Sequence, residues 1–151
     1  MIPSILPVAV AFFEWKGWTV LNTDSPNMIY THFQGNNGQW KLFVVAHPEK
    51  PILVCYSLFP KTIEPTEHPK IFELLSQLND GLMIGNFEYS YEHREIRYKT
   101  SLDATDMPES LSICNSMVYY NLTAMDQYFP VLEKFLAQKP PGANGFKESQ
   151  V

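Results

Sequence analysis

The hydrophobic and polar positions of this chain follow a helical period and a strand period in alternation. Between Ser4 and about Lys16 the spacing is helical, with Val8, Phe12 and Trp15 on one face and Ala9 and Phe13 beside them. Ser4 supplies a cap, Pro7 falls in the first turn where no backbone donor is needed, and Gly17 stops the helix. Trp18 to Asn22 reads as a short strand closed by the turn-rich stretch Thr23 to Asn27. Met28 to Gln34 and Gln39 to His47 are strands flanking Gly35-Asn36-Asn37-Gly38, residues that tolerate the positive φ of a tight hairpin. Ile52 to Phe59 is almost continuously apolar, as in a central strand, and Pro60 and Pro65 are expected to end it.

His68-Pro69 opens a second helix, in which Ile71, Leu74, Leu75, Leu78 and Leu82 share one face. Gly81 and Gly85 bound its exit, and a last hairpin follows. With His93 and Arg94 as its two turn residues, Phe87 faces Thr100, Tyr89 faces Tyr98 and Tyr91 faces Ile96 on a core side. Glu88, Ser90, Arg97 and Lys99 then lie on the other side, with Glu88 opposite Lys99. His-Arg suits a two-residue turn poorly, and a longer loop would break that register.

From Ser110 the period is helical again, through Leu111, Cys114, Met117 or Val118, Leu122, Met125, Phe129, Leu132 and Leu136. Pro130 either kinks one long helix near Asp126 or divides it, with Thr123 or Asp126 capping the second part. Residues 139–151, which begin around Pro140-Pro141-Gly142, are expected to form a mobile tail. The chain reads as a single α+β domain over residues 1–138, with an antiparallel sheet of about six strands and helices packed mainly on one face. The element order is α-β-β-β-β-α-β-β-α, with the last helix whole or split.

Composition narrows the chemistry. Apolar residues make up 45% of the 151 positions and charged residues 18%, enough for a packed core. A formal charge of −5 with scattered Lys and Arg disfavours nucleic acid as a partner. No apolar run approaches the roughly 20 residues needed to span a bilayer. The apolar N-terminus lacks early basic residues and is broken by prolines, unlike a signal peptide. Cys55 and Cys114 read as small buried side chains in a reducing, cytoplasmic setting. Asn121-Leu122-Thr123 matches the N-glycosylation pattern by chance.

No catalytic constellation or cofactor site emerges. His32, His47, His68 and His93 have no partner at metal-ligand spacing, and no G-x-S-x-G elbow places a nucleophile. The glycines at 35, 38, 81 and 85 mark a hairpin and a helix end, whereas phosphate cradles open helices. Asp103 and Asp106 suit turn formation on a loop better than acid–base work. The aromatic surplus, with Trp15, Trp18, Trp40, Tyr119, Tyr120, Tyr128 and Phe129 as its candidates, fits either core packing or an exposed interface patch.

Specific residues also resemble the YbjN family, which shares the fold of type III secretion chaperones. They are Gly38-Gln39-Trp40, Tyr56-Ser57 with Pro60, Asn79, Gly81, the run Ile84 to Glu88, the run Glu95 to Asp103, and Met125-Asp126 with Tyr128 and Pro130. The likeness covers about residues 3–138, and the central run is most similar to the cyanobacterial branch. His93-Arg94 departs from the Asp-Gly usual at that hairpin tip. The resemblance implies a homodimer and a non-enzymatic, adaptor-like or regulatory role, with a protein or peptide partner. Asn79, Asn86, Glu88, Arg97, Lys99, Asp126 and Tyr128 are the candidate partner-binding or interface residues. The polar members are read either as a wet sheet face or as a recognition surface. A second reading is a regulator that senses a small apolar molecule between helices and sheet.

Overall fold

The computed structural model describes residues 4–138, and residues 139–151 lie outside that range. Three helices and six strands occur in the order α1 (Leu6–Trp15), β1 (Leu21–Asn22), β2 (Met28–Gln34), β3 (Gln39–Ala46), β4 (Ile52–Thr62), α2 (His68–Asp80), β5 (Asn86–Ser90), β6 (Glu95–Asp103) and α3 (Cys114–Ala137). Single 3-10 turns lead into α2 and α3. The strands form one antiparallel sheet in the order β1-β2-β3-β4-β6-β5. The α+β class and the element order expected from the sequence are those observed.

One face of the sheet forms the core. Leu42, Val44, Leu53, Cys55, Ile96 and Tyr98 on it are buried, as are Phe12 and Phe13 of α1 and Met117, Met125 and Leu132 of α3. α3 crosses β4 and β6 on this side, and α2 packs at the β5 edge. Ser4 does accept the Leu6 N–H, at 3.1 Å, and Gly17 leaves α1 with φ +76°. Trp15 lies off the apolar face and is 59% exposed. The first strand is shorter than expected, because Trp18 turns edge-on against Phe13 and Phe33 and the ladder begins at Leu21.

Pro60 does not end β4, although it does end one of its two ladders. His47 donates to the Ile52 carbonyl, so the bonded β3–β4 pairs continue in steps of two to Lys41–Leu58. The next pair would be Gln39–Pro60, and proline has no N–H to give. The β4–β6 ladder resumes beyond a bulge, at Thr62–Glu95.

The last hairpin is shifted by two residues from the expected register. Phe87 pairs with Tyr98, Glu88 with Arg97 and Tyr89 with Ile96, and the loop is the four residues 91–94. Arg94 takes the positive φ, at +53°. A two-residue shift conserves which face each side chain occupies, so the core side of β5 and β6 stands. Tyr91 leaves the core for the loop and is 72% exposed, whereas Ser90 becomes buried and accepts the His93 N–H at 3.2 Å.

α3 is one continuous helix with Pro130 inside it. Proline at 130 leaves the Asp126 carbonyl without its helical donor. Asn37, at the β2–β3 hairpin tip, supplies one: its Nδ2 donates to that carbonyl at 3.0 Å, and its backbone N–H donates to Asp126 Oδ1 at 2.8 Å. The approach is close enough that a Cβ at Gly38 would enter the Phe129 ring and one at Gly35 would meet Trp40 and Asp126.

Asn37→Ala should therefore cost about 1 kcal/mol in urea denaturation, the net value of one hydrogen bond. In a Pro130→Ala background most of that loss should vanish, because the substituted residue brings its own backbone N–H to the Asp126 carbonyl. Strictly additive losses in the double-mutant cycle would refute the coupling.

Candidate functional site

The seven candidate residues separate into three places. Asn79, at the end of α2, reaches β5, the outermost strand. Its Oδ1 accepts the Phe87 N–H at 2.7 Å and its Nδ2 donates to the Phe87 carbonyl at 3.0 Å. The side chain thus substitutes for a seventh strand at the one residue it faces, closing part of an exposed edge. Asn86 Nδ2 donates to the same carbonyl at 3.2 Å. Both asparagines are engaged in holding the helix-to-strand corner.

Asp126 and Tyr128 lie on α3, on the covered side of the sheet. Asp126 is engaged by Asn37, and Tyr128 meets Phe87 edge to face at 5.7 Å. Glu88, Arg97 and Lys99 point the other way. The sheet therefore stands between the two groups, and the seven do not form one site.

The strand register resolves the uncovered face into three cross-strand rows. The first is Met28, Val45, Val54 and Ser101; the second is Tyr30, Phe43, Tyr56, Lys99 and Asn86; the third is His32, Lys41, Leu58, Arg97 and Glu88. An aliphatic row, an aromatic row and a charged row thus lie side by side. The apolar members are half-buried by one another, and among the described residues no helix covers them. Arg97 Nε donates to Glu88 Oε1 at 2.6 Å, its guanidinium lies 4.4 Å from the Tyr56 ring centre, and Lys99 Nζ stands 3.9 Å from Glu88 Oε2. Tyr30 and Phe43 stack at 4.9 Å, with Lys41 Nζ 5.5 Å from Tyr30. Each of these rings has a face taken by a neighbour, which leaves less π surface for stacking. That suits an apolar protein surface better than stacked bases. Beside the charged row, burial holds the Glu95 carboxyl above its ordinary range against the pull of His93, Arg97 and Lys41.

The remaining chemistry-bearing residues serve local structure. His47 Nδ1 accepts the N–H groups of Glu49 and Lys50 in a turn, and His68 Nε2 and the Tyr89 hydroxyl share a bond at 2.9 Å. Asp103 accepts from the Thr105 hydroxyl and N–H, which hold its carboxyl below the usual range. Burial raises both free thiols, Cys114 to about 11 and Cys55 further, so neither is a ready nucleophile. Among the described residues no three His, Cys, Asp or Glu side chains converge at metal-ligating distance.

Sequence reasoning missed two asparagines and the aromatic row. Asn121, which in the sequence shows only a chance glycosylation match, is completely buried. Its Nδ2 lies within bonding distance of the Cys55 and Tyr98 carbonyls (2.8 and 3.1 Å) and Thr100 Oγ1 (3.0 Å). The available signal was its place between Met117 and Met125 on the apolar stripe. Asn37 gave no signal beyond its turn. The rows were visible only as alternation, until the register aligned them.

Asn79→Ala should cost about 1–3 kcal/mol, because it leaves the part-buried Phe87 N–H without a partner and the Phe87 carbonyl with the Asn86 bond alone. Faster hydrogen exchange at the Phe87 amide should accompany the loss; unchanged protection there would contradict this role. Arg97→Ala should cost about 1–2 kcal/mol in urea denaturation at low salt, combining a charge-assisted bond with a ring contact. The cost should shrink in high salt, since both side chains are about a quarter exposed. A loss below about 0.5 kcal/mol would reduce Glu88–Arg97 to an ordinary wet pair.

No protein-family model matches the chain, and no curated protein matches it. No helix among the described residues is long and apolar enough to cross a membrane.

Proposed function

We propose that this chain is a non-enzymatic protein-binding module whose working surface is the uncovered face of its sheet. The observation that carries this is the run of Met28, Tyr30, Phe43, Val45, Val54, Tyr56 and Leu58 across three adjacent strands, with no helix over it among the described residues and a charged row along one side. An apolar centre with a polar border is the anatomy of a protein interface. Resemblance to the YbjN family supports the same adaptor-like reading in a cytoplasmic setting, and supports a second copy of the chain as the first partner to consider.

The rows are self-complementary in a way that favours that partner. A two-fold axis parallel to the strands, between β3 and β4, would set each row against its equivalent. Val45 would meet Val54 of the second copy, Phe43 would meet its Tyr56, and Tyr30 would meet its Lys99. Sheets packed face to face in this way stay within about 30° of alignment.

Light scattering tests the reading. The wild type should show twice the mass of the chain, and Phe43→Glu should be monomeric with an unchanged circular dichroism spectrum, since position 43 lies outside the core. A monomeric wild type would reject the second copy as partner. If that monomer also retained no binding protein that Phe43→Glu fails to retain, the binding-module reading itself would fall.

A further inference from the structure

A concavity lies on the side of the molecule opposite the uncovered sheet face. It runs between the end of α1 and the first half of α3, is closed at one end by the β2–β3 hairpin, and has a volume of about 760 Å³. That is within the range of small-molecule sites, about 300–1,000 Å³. Phe12, Trp18, Phe33, Tyr119 and Tyr120 contribute rings to its walls, and polar residues of α3 and the hairpin make up much of the rest.

Three properties separate this groove from ordinary surface. Tyr119 and Tyr120 are 65% and 43% exposed, unusual for aromatic side chains, and both line the groove. The two tyrosines meet each other edge to face at 5.6 Å and touch no other ring among the described residues, so each keeps a free π face. Lys16, in the lining, has no carboxylate within ion-pair distance among the described residues; its Nζ stands 5.4 Å from the Trp15 ring and 6.0 Å from Phe12. The one carboxylate in the lining, Asp126, is turned to the hairpin and engaged by Asn37, whose hold also fixes the far wall.

We propose that this groove binds a planar aromatic anion, its ring laid on Tyr119 or Tyr120 and its charge set on Lys16. A free ring face and an unpaired cation at one concavity are complementary to that chemistry and to few others. A neutral ligand would leave Lys16 unused, and an aromatic cation would meet its charge. The site is independent of the uncovered sheet face, where Arg97 and Lys99 already share Glu88 and each ring has a face taken by a neighbour.

Calorimetric titration of the full chain with 2-naphthoate tests the assignment, with 2-naphthalenemethanol as its neutral counterpart. Saturable one-to-one binding of the anion is expected, weakened about tenfold in Lys16→Gln, the loss of one charge-assisted contact. The alcohol should bind more weakly and be indifferent to Lys16→Gln. Ser116→Trp, an exposed position whose new ring fills the groove without entering the core, should remove binding. Phe43→Ser on the opposite face should leave binding unchanged. Absence of saturation into the millimolar range, equal binding to wild type and Lys16→Gln, or loss in Phe43→Ser with retention in Ser116→Trp would each overturn the proposal.

Discussion

The attachment of α3 to the sheet is the constraint on which the other features rest. Asn121 is a polar side chain in the middle of an apolar stripe, and its amide bonds to β4 and β6 at once. Thr100 completes the link by donating to the Met117 carbonyl at 2.8 Å, one turn before Asn121. In a buried site such bonds favour one helix position, because a slide or rotation would leave Asn121 Nδ2 as unpartnered as its Oδ1 already is among the described residues. With the centre of α3 fixed, its far half reaches the β2–β3 hairpin, where Asn37 takes up the carbonyl that Pro130 frees.

Two consequences follow for function. The helices are committed to one face, so the aliphatic, aromatic and charged rows of the other are left uncovered. On the covered side, α1 and α3 do not close over the end of β2, and the aromatic groove with Lys16 remains between them. The residues that drew attention in the sequence mostly hold this frame together: Asn79 closes an edge, Asn86 a corner, and Asp126 a hairpin tip. Polar residues at fixed places are as characteristic of backbone satisfaction as of binding, and their partners decide between the two.

Much of the fold was legible because periodicity and turn chemistry are local. β2 matched its expected span, β3 and α2 came within a residue or two, and the core sides of β5 and β6 followed from alternation alone. The failures have physical reasons. Pro60 suggests a terminator because a proline withholds one donor, yet β4 has two neighbours and loses only one ladder. The last hairpin slipped by two residues because His-Arg cannot make the tight turn, so the chain spends four residues and places Arg94 at positive φ. Pro130 looked able to divide α3, but the Asp126 carbonyl it frees finds a partner in a side chain 89 positions away in sequence.

By itself, then, the sequence determined the element order, the α+β class and the side of the sheet each strand residue occupies. These depend on neighbours one to four positions apart. Tertiary structure alone decided which strands lie together, and hence that Tyr30, Phe43 and Tyr56 form one row while Asp126 and Arg97 lie on opposite sides of a sheet. It alone decided that Asn121 is structural and that the exposed Tyr119 and Tyr120 line a groove. Those outcomes depend on contacts between residues tens of positions apart, which no local period encodes.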